Sequence, residues 1–384
     1  NSYKLYLNLS ATLLHKVSRS RFLHITSLAL LTLILLSTSC NTIEPQVNDN
    51  DLNKWKRISE FDGMDVKGFK IINDELYVYG WADNNGLYKT ADGNSWTKIN
   101  LPDTGNFHAG VSAITLLNGE LIVASAYSFD GKYLCRISSG GQINVIPTQV
   151  PIEISDMEVL GSDLIIAPGR NYDQYNAGIL KSNGELKFIS NYLYTNPFVE
   201  GECSIGNAIN PIYSSKLIKT NSNYLISGER AGPNFVTEID TNGYHCFNYK
   251  GITTDDKFAG VYDLAWYRDT LFAATQSYIK FFVNDEWKVY MDSLPEVHGT
   301  VPFVTSFTFA DNKVFVTTPS DGVLEWKDNK WNTLGDGLPQ NKEQQIYPGI
   351  SFIISFKNNL FIGFGTGKVW DTGMRGVWKY SLNN

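Results

Sequence analysis

The chain has 384 residues, of which 43% are hydrophobic, 13% aromatic and only 18% charged. That composition excludes a disordered chain, which lacks the apolar surface to offset its conformational entropy, and suits two average domains or one large repeat fold. The formal net charge of −7 argues against a duplex nucleic-acid partner, which needs a basic surface to displace counterions.

At the N-terminus, Lys16, Arg19 and Arg21 precede an apolar run from Phe22 to Leu36, which leaves through Ser37, Thr38 and Ser39 into Cys40. A positive segment, an apolar core and small residues before a cleavage point define a secretory signal. The run is shorter than the ~20 residues a bilayer span requires. The stretch LILLSTSC resembles the lipobox of bacterial lipoproteins, in the relaxed form common among Bacteroidota, which implies that Cys40 becomes the lipidated first residue of the mature protein. Residues 1–39 are therefore expected to be an N-terminal extension and signal peptide, and residues 40–53 a polar tether behind the lipid. Residues 54–384 are expected to form the folded domain. The implied address is the cell envelope, anchored at the outer membrane on its periplasmic or surface side.

Beyond the tether one phrase recurs: an apolar strand, a short polar turn and a second apolar strand. It reads FKIINDELYVYG, ITLLNGELIVAS, MEVLGSDLIIAP, LIKTNSNYLISG, LAWYRDTLFAAT, FTFADNKVFVTT and IISFKNNLFIGF. The second strands begin their apolar run at Leu76, Leu121, Leu164, Leu225, Leu271, Val314 and Leu360, mostly 43 to 46 residues apart with one interval of 61. Asn, Asp or Gly occupies most of the turns, as tight hairpins with positive φ favour. A period near ~45 residues with about four strands per unit is propeller spacing, and no 3.6-residue apolar stripe suggests helices. The expected fold is all-β, a seven-bladed β-propeller. Its last repeat supplies three strands, so WKRISEF, Trp55 to Phe61, is expected to close the last blade from the N-terminal side and leave no open edge.

The segment TADGNSW, residues 90–96, resembles a shortened Asp-box of the sialidase and BNR-repeat propellers. That resemblance implies that Asp92 and Gly93 brace a hairpin turn and that Trp96 packs between sheets. The segments GLYKTADGNSWTKINLP and GVLEWKDNKWNTLGDGLP also resemble the repeats of sensor-type periplasmic propellers. Such likenesses speak to fold and not to activity.

Loops between second and third strands are long in the third and seventh repeats (GRNYDQYN and GTGKVWDTGMR), and a further insertion spans residues 191–213. Together they are expected to bring Trp81, Tyr127, Arg170, Tyr172, Tyr175, Arg230, Trp370 and Arg375 to one rim. Aromatic platforms with arginines suit a sugar, a peptide or an acidic small molecule, although aromatic residues also simply cover blade ends. A sialidase reading could enlist Arg170, Arg230 and Arg375, but the Asp-box is single and degenerate, an Arg-Ile-Pro signature is missing, and that family has six repeats. Glu202 and Glu229 stand alone as acids, and Asp83 with Asp92 lacks the spacing of a calcium loop. The five histidines form no metal-ligand spacing. Cys135, Cys203 and Cys246 could form one disulfide and one thiol, or be three small buried apolar residues. No catalytic residue, metal or cofactor is assigned. The expected function is non-catalytic binding of a glycan, a peptide or an envelope protein on the looped face, with membrane attachment through the lipid. The alternative is a glycan-active hydrolase or lyase with its site at the central channel.

Overall fold

The computed structural model describes residues 54–82, 86–101, 110–125, 134–146, 154–168, 175–180, 186–190, 214–220, 225–229, 236–239, 244–245, 261–275, 277–291, 294, 304–340, 346–347, 349–365 and 374–382. They belong to a compact unit that runs from Asn53 to Asn384. Cys40 and the segment around it lie outside the described residues. Among the described residues the strands form seven four-stranded antiparallel sheets, and a single 3-10 turn stands at Ser59–Phe61. No helix among them is long and apolar enough to cross a membrane.

Each sheet takes four strands in chain order, except the last. Their first strands are Asp65–Ile72, Val111–Leu117, Ile154–Leu160, Ser214–Lys219, Asp263–Tyr267, Ser306–Ala310 and Phe352–Phe356. The first strands of successive sheets lie side by side, and that of the seventh returns to that of the first. In the seventh sheet the outer strand is Lys56–Ile58, paired with Gly376–Ser381 through Lys56 opposite Lys379 and Ile58 opposite Val377. Trp55 anchors this strand: its indole N–H donates to the Leu334 carbonyl at 2.7 Å and its ring lies 5.3 Å from Tyr380.

The turns explain why the chain doubles back where it does. Asn73 and Asp74 have φ of 50° and 60°, Asp311 and Asn312 of 50° and 62°, and Asn118 of 53° before Gly119 at 80°. Two consecutive positive φ values give the turn whose twist matches paired strands, and Asn, Asp and Gly accept that region at least cost. Strands buried on both faces then explain the continuous apolar runs: every residue of Asn359–Phe364 is buried. Clusters join neighbouring sheets, as where Ala113, Ile122 and Leu134 meet Met157, Leu164 and Ile166. Phe61, Val66 and Leu76 meet Phe356, Phe361 and Val377 across the first and seventh sheets. Each such side chain contributes about 1.5–3 kcal/mol relative to exposure. Cys135 is a buried free thiol in one of these clusters, and burial pushes its pKa up to about 12. Cys203 and Cys246 lie outside the described residues.

The first four sheets share one irregularity. Pairing slips by a residue at Lys67, Ser112, Ser155 and Ser215, near the start of each first strand. A bulge bends a strand and re-aims the side chain at the extra residue. Two of these residues, Lys67 and Ser155, line the cavity described next.

Candidate functional site

One level of the first strands carries most of the site. Register with the second strands makes Gly68, Ala113, Asp156, Lys216, Asp263, Ser306 and Phe352 equivalent. Three of these side chains tie one sheet to the next. Asp156 Oδ2 accepts the Leu217 N–H at 2.8 Å, while Oδ1 accepts that of Met157 at 2.8 Å. Asp263 Oδ2 accepts the Ser306 hydroxyl at 2.7 Å and the Phe307 N–H at 3.1 Å, and Oδ1 accepts the Leu264 N–H and the Lys216 ammonium. Ser306 Oγ in turn accepts the Ile353 N–H at 3.4 Å. A carboxylate suits this place because its two oxygens serve several buried donors at once, and hydrogen bonds to an ionised acceptor are the stronger kind.

The first two sheets carry Gly68 and Ala113 at that level, and a lysine from the next layer spans the gap. Lys70 Nζ reaches past the second sheet to the third, where it donates to the Met157 carbonyl at 2.6 Å and lies 2.6 Å from Glu158 and 3.7 Å from Asp156. Burial alone would lower the Lys70 pKa, but attraction to Asp156 and Glu158 exceeds it and the net shift is upward. Burial raises the Glu158 pKa, and the pull of Lys70 does not cancel it because Asp156 repels the same charge. One ammonium is thus shared by two carboxylates.

Gly68 has a second consequence. A Cβ there would collide with the ring and hydroxyl of Tyr79, which reaches the cavity from the second strand through the space the glycine leaves. The residues opposite this level in the other sheets, such as Ala124, Ala167 and Ala274, are small. Burial, Asp156 and Glu158 push the Tyr79 phenol well above its ordinary pKa, so it remains a neutral hydroxyl.

These groups surround a cavity of about 410 Å³ that takes lining residues from six of the seven first strands. Its walls differ. Lys67, Lys70, Asp156, Glu158, Lys216 and Asp263 come from the first, third, fourth and fifth sheets, whereas Thr305, Thr308, Phe352 and Ile354 come from the sixth and seventh. Lys67 is 3.3 Å from Asp65 and its ammonium sits 4.3 Å over the Trp81 ring.

Of the residues expected on the rim, Tyr127, Arg170, Tyr172, Arg230 and Trp370 lie outside the described residues. Trp81 ends its strand opposite Asp65, half-buried beneath Lys67. Tyr175 opens the third strand of the third sheet, its backbone opposite Ser190. Arg375 stands just before the last strand, and its carbonyl accepts the Gly63 N–H at 3.3 Å and the Arg57 guanidinium at 3.0 Å. Trp81 and Arg375 do not line the cavity. Sequence reasoning missed Lys70, Tyr79, Asp156, Glu158 and Asp263. The available signal was register: Asp156, Asp263 and Ser306 stand the same distance ahead of Leu164, Leu271 and Val314, with Asp263 and Ser306 each heading a mostly apolar strand.

At residues 90–96, Asp92 Oδ1 accepts the N–H groups of Asn94 at 2.7 Å and Ser95 at 2.8 Å and the Thr90 hydroxyl at 2.9 Å. These bonds hold its carboxyl well below the usual range. Gly93 has φ +77°, and the Trp96 ring lies edge-on to Phe61 at 4.7 Å and to Phe361 at 5.9 Å. Asp83 lies outside the described residues.

No family model matches the chain, and no curated protein matches it in sequence. Solved structures do resemble it. The extracellular domain of BT4673 from B. thetaiotaomicron, described as a one component system, superposes with a TM-score of 0.58 at 12% identity over 86% of this chain. This chain spans only 40% of that domain's length. YCF48 bound to D1 peptide gives 0.53 at 13% identity, covering 87% of this chain and 98% of that one. The β-propeller domain of Cps50 (Swd1) from Myceliophteria thermophila gives 0.54 at 10% identity, covering 86% and 100%. At these identities the likeness speaks to fold alone: the chain is a β-propeller.

Proposed function

We propose that this β-propeller is a non-catalytic binding module of the bacterial cell envelope, tethered through lipid at Cys40 and holding a glycan, a peptide or an envelope protein at its channel and looped face. The observation that carries the binding reading is the state of the cavity's ionised groups. Asp156 and Asp263 accept backbone N–H groups on both oxygens, and Glu158 is held by Lys70. A general acid or base must exchange its proton with the substrate, whereas these carboxylates are committed to holding sheets together. Such a wall positions a ligand and does not turn it over.

The wider frame follows from the same reading. The domain is a seven-bladed propeller closed by its N-terminal strand, supported by the seven sheets and by the pairing of Lys56–Ile58 with Gly376–Ser381. Asp92, Gly93 and Trp96 act as an Asp-box, supported by the hydrogen bonds of that turn. Cys40, the signal-like segment before it and the likeness to an extracellular domain support export and lipid anchoring on the outer membrane, facing the periplasm or the exterior. YCF48, bound to a peptide, is a propeller precedent for a polypeptide ligand. On the looped face Trp81, Tyr127, Arg170, Tyr172, Tyr175, Arg230, Trp370 and Arg375 are the contacts offered to a larger partner. The test is a screen of the full chain against oligosaccharide and peptide libraries, reading binding and product release together. Saturable binding without new reducing ends or new peptide termini is expected, and turnover of any bound compound overturns the binding reading.

One observation favours the glycan-active alternative: Glu158, with its raised pKa, stands beside Asp156 in the cavity. Product release that disappears in Glu158→Gln while the protein stays folded is the result that selects it.

A further inference from the structure

We infer that the cavity among the first strands receives the end of a neutral saccharide, its hydroxyls on the Lys70, Tyr79 and Glu158 side and its apolar ring face on the Phe352 and Ile354 side. This rests on the binding reading above and assigns the cavity its ligand class.

Charge comes first. Six of the seven ions in the wall already have partners: Lys70 with Glu158 and Asp156, Lys216 with Asp263, and Lys67 with Asp65 outside the lining; the seventh, Lys219, is exposed. Away from Lys219, an ionic ligand would have to break one of these pairs or lie against the like-charged member of another, and either arrangement leaves a partly buried charge uncompensated. A neutral ligand rich in hydroxyls avoids that cost and uses the remaining lone pairs and protons of the same groups.

The polar side offers both kinds of partner. Tyr79 presents a neutral hydroxyl at the cavity, because burial and the two nearby carboxylates keep the phenol protonated. On the sixth sheet, next to the apolar side, Thr308 Oγ1 accepts the Ser355 N–H at 3.2 Å, which leaves its own proton for a ligand. On the seventh sheet the lining changes character: Phe352 and Ile354 are only partly buried although apolar. Sugar rings carry hydroxyls at their edges and C–H groups on their faces, so one polar and one apolar wall match them better than they match a uniformly polar ion or a uniformly apolar molecule. The volume of about 410 Å³ lies at the low end of the ~300–1,000 Å³ range of small-molecule sites, which suits a chain end and not a polymer segment.

The experiment titrates the full chain in detergent by calorimetry with short neutral oligosaccharides of the gluco-, manno-, xylo- and galacto-series, and with galacturonate and sialic-acid oligomers. One neutral series is expected to bind and the acidic ones are not. Against the bound series, Tyr79→Phe, which keeps the ring and loses only the hydroxyl, is expected to weaken affinity about fivefold, the worth of one hydrogen bond. Ile354→Ser on the opposite wall is expected to weaken it by a similar factor. Binding of acidic oligomers alone overturns the inference. Binding that survives both channel variants but is lost in Trp370→Ala also overturns it, yet leaves the binding module standing with its ligand on the rim. Silence toward every saccharide overturns the inference, and only silence toward peptides as well removes the binding reading.

Discussion

Replacing Asp263 by alanine removes, in one step, the acceptor for four donors: the N–H groups of Leu264 and Phe307, the Ser306 hydroxyl and the Lys216 ammonium. Asp263 is 4% exposed and Phe307 3%, so water does not readily replace what is lost. Each buried donor left without a partner costs about 1–3 kcal/mol. The Lys216 ion pair adds little, on the order of 0–1 kcal/mol, because its side chain is 38% exposed and solvent screens it. Relaxation lets some donors find other acceptors, so the expected total is about 3–5 kcal/mol, a large share of the ~5–15 kcal/mol that holds a typical protein folded. Asp263→Asn keeps one acceptor oxygen and is expected to lose about half as much. The assay is urea denaturation followed by tryptophan fluorescence, with a double-mutant cycle to Ser306→Ala. The two share a hydrogen bond, so their costs are expected to be less than additive, whereas Asp263→Ala with Asp156→Ala, two sheets away, is expected to be near additive. A change in stability below ~0.5 kcal/mol for Asp263→Ala would show that these carboxylates do not tie sheets together.

Gly68→Ala is expected to destabilise by about 1–3 kcal/mol through collision with Tyr79, and a smaller penalty in a Tyr79→Ala background checks the cause. Lys70→Met strands Asp156 and Glu158 and is expected to cost about 3–5 kcal/mol, read from the same urea curves. Because the Lys70 pKa is raised above 10.5, its stabilisation is complete below that value and is lost as pH climbs through the folded pKa; alkaline titration of stability in wild type and Lys70→Met measures the difference. Asp92 behaves in the opposite sense: its folded pKa is depressed, so its contribution is present above 3.8 and fades as pH falls below that value toward the folded pKa. Asp92→Asn is expected to flatten that acid limb of the stability profile. Deleting residues 54–61 removes the buried Trp55 and Phe61 along with the outer strand of the seventh sheet, and is expected to make the whole domain sensitive to limited proteolysis.

The hairpins were legible because their chemistry is local. Pairs such as Asn73-Asp74 and Asp311-Asn312 need positive φ whatever surrounds them, and the apolar runs on each side state burial on both faces. The expected outer strand over residues 55–61 rested on apolar and aromatic pattern alone; the strand that pairs with Gly376–Ser381 is the shorter Lys56–Ile58, and Ser59–Phe61 turns away as a 3-10 turn. The cavity was not legible for the opposite reason. Asp156 and Asp263 look like interruptions of apolar strands until the neighbouring sheet supplies the N–H groups they accept. Lys70 looks like an ordinary surface lysine until Met157 and Glu158, far along the chain, come within its reach. Gly68 acquires meaning only from the ring of Tyr79 packed against it. Aromatic residues and arginines on loops announce recognition by residue type, whereas the cavity's lining is built by register.

The most direct measurement is a crystal structure of the chain grown with the tightest-binding neutral oligosaccharide. A sugar ring is expected between Tyr79 and Glu158 on one side and Phe352 and Ile354 on the other, with the Lys70 pairing intact. A sugar seated only on the loops, or a cleaved product in the cavity, would mean that the first strands do not form the binding site described for them.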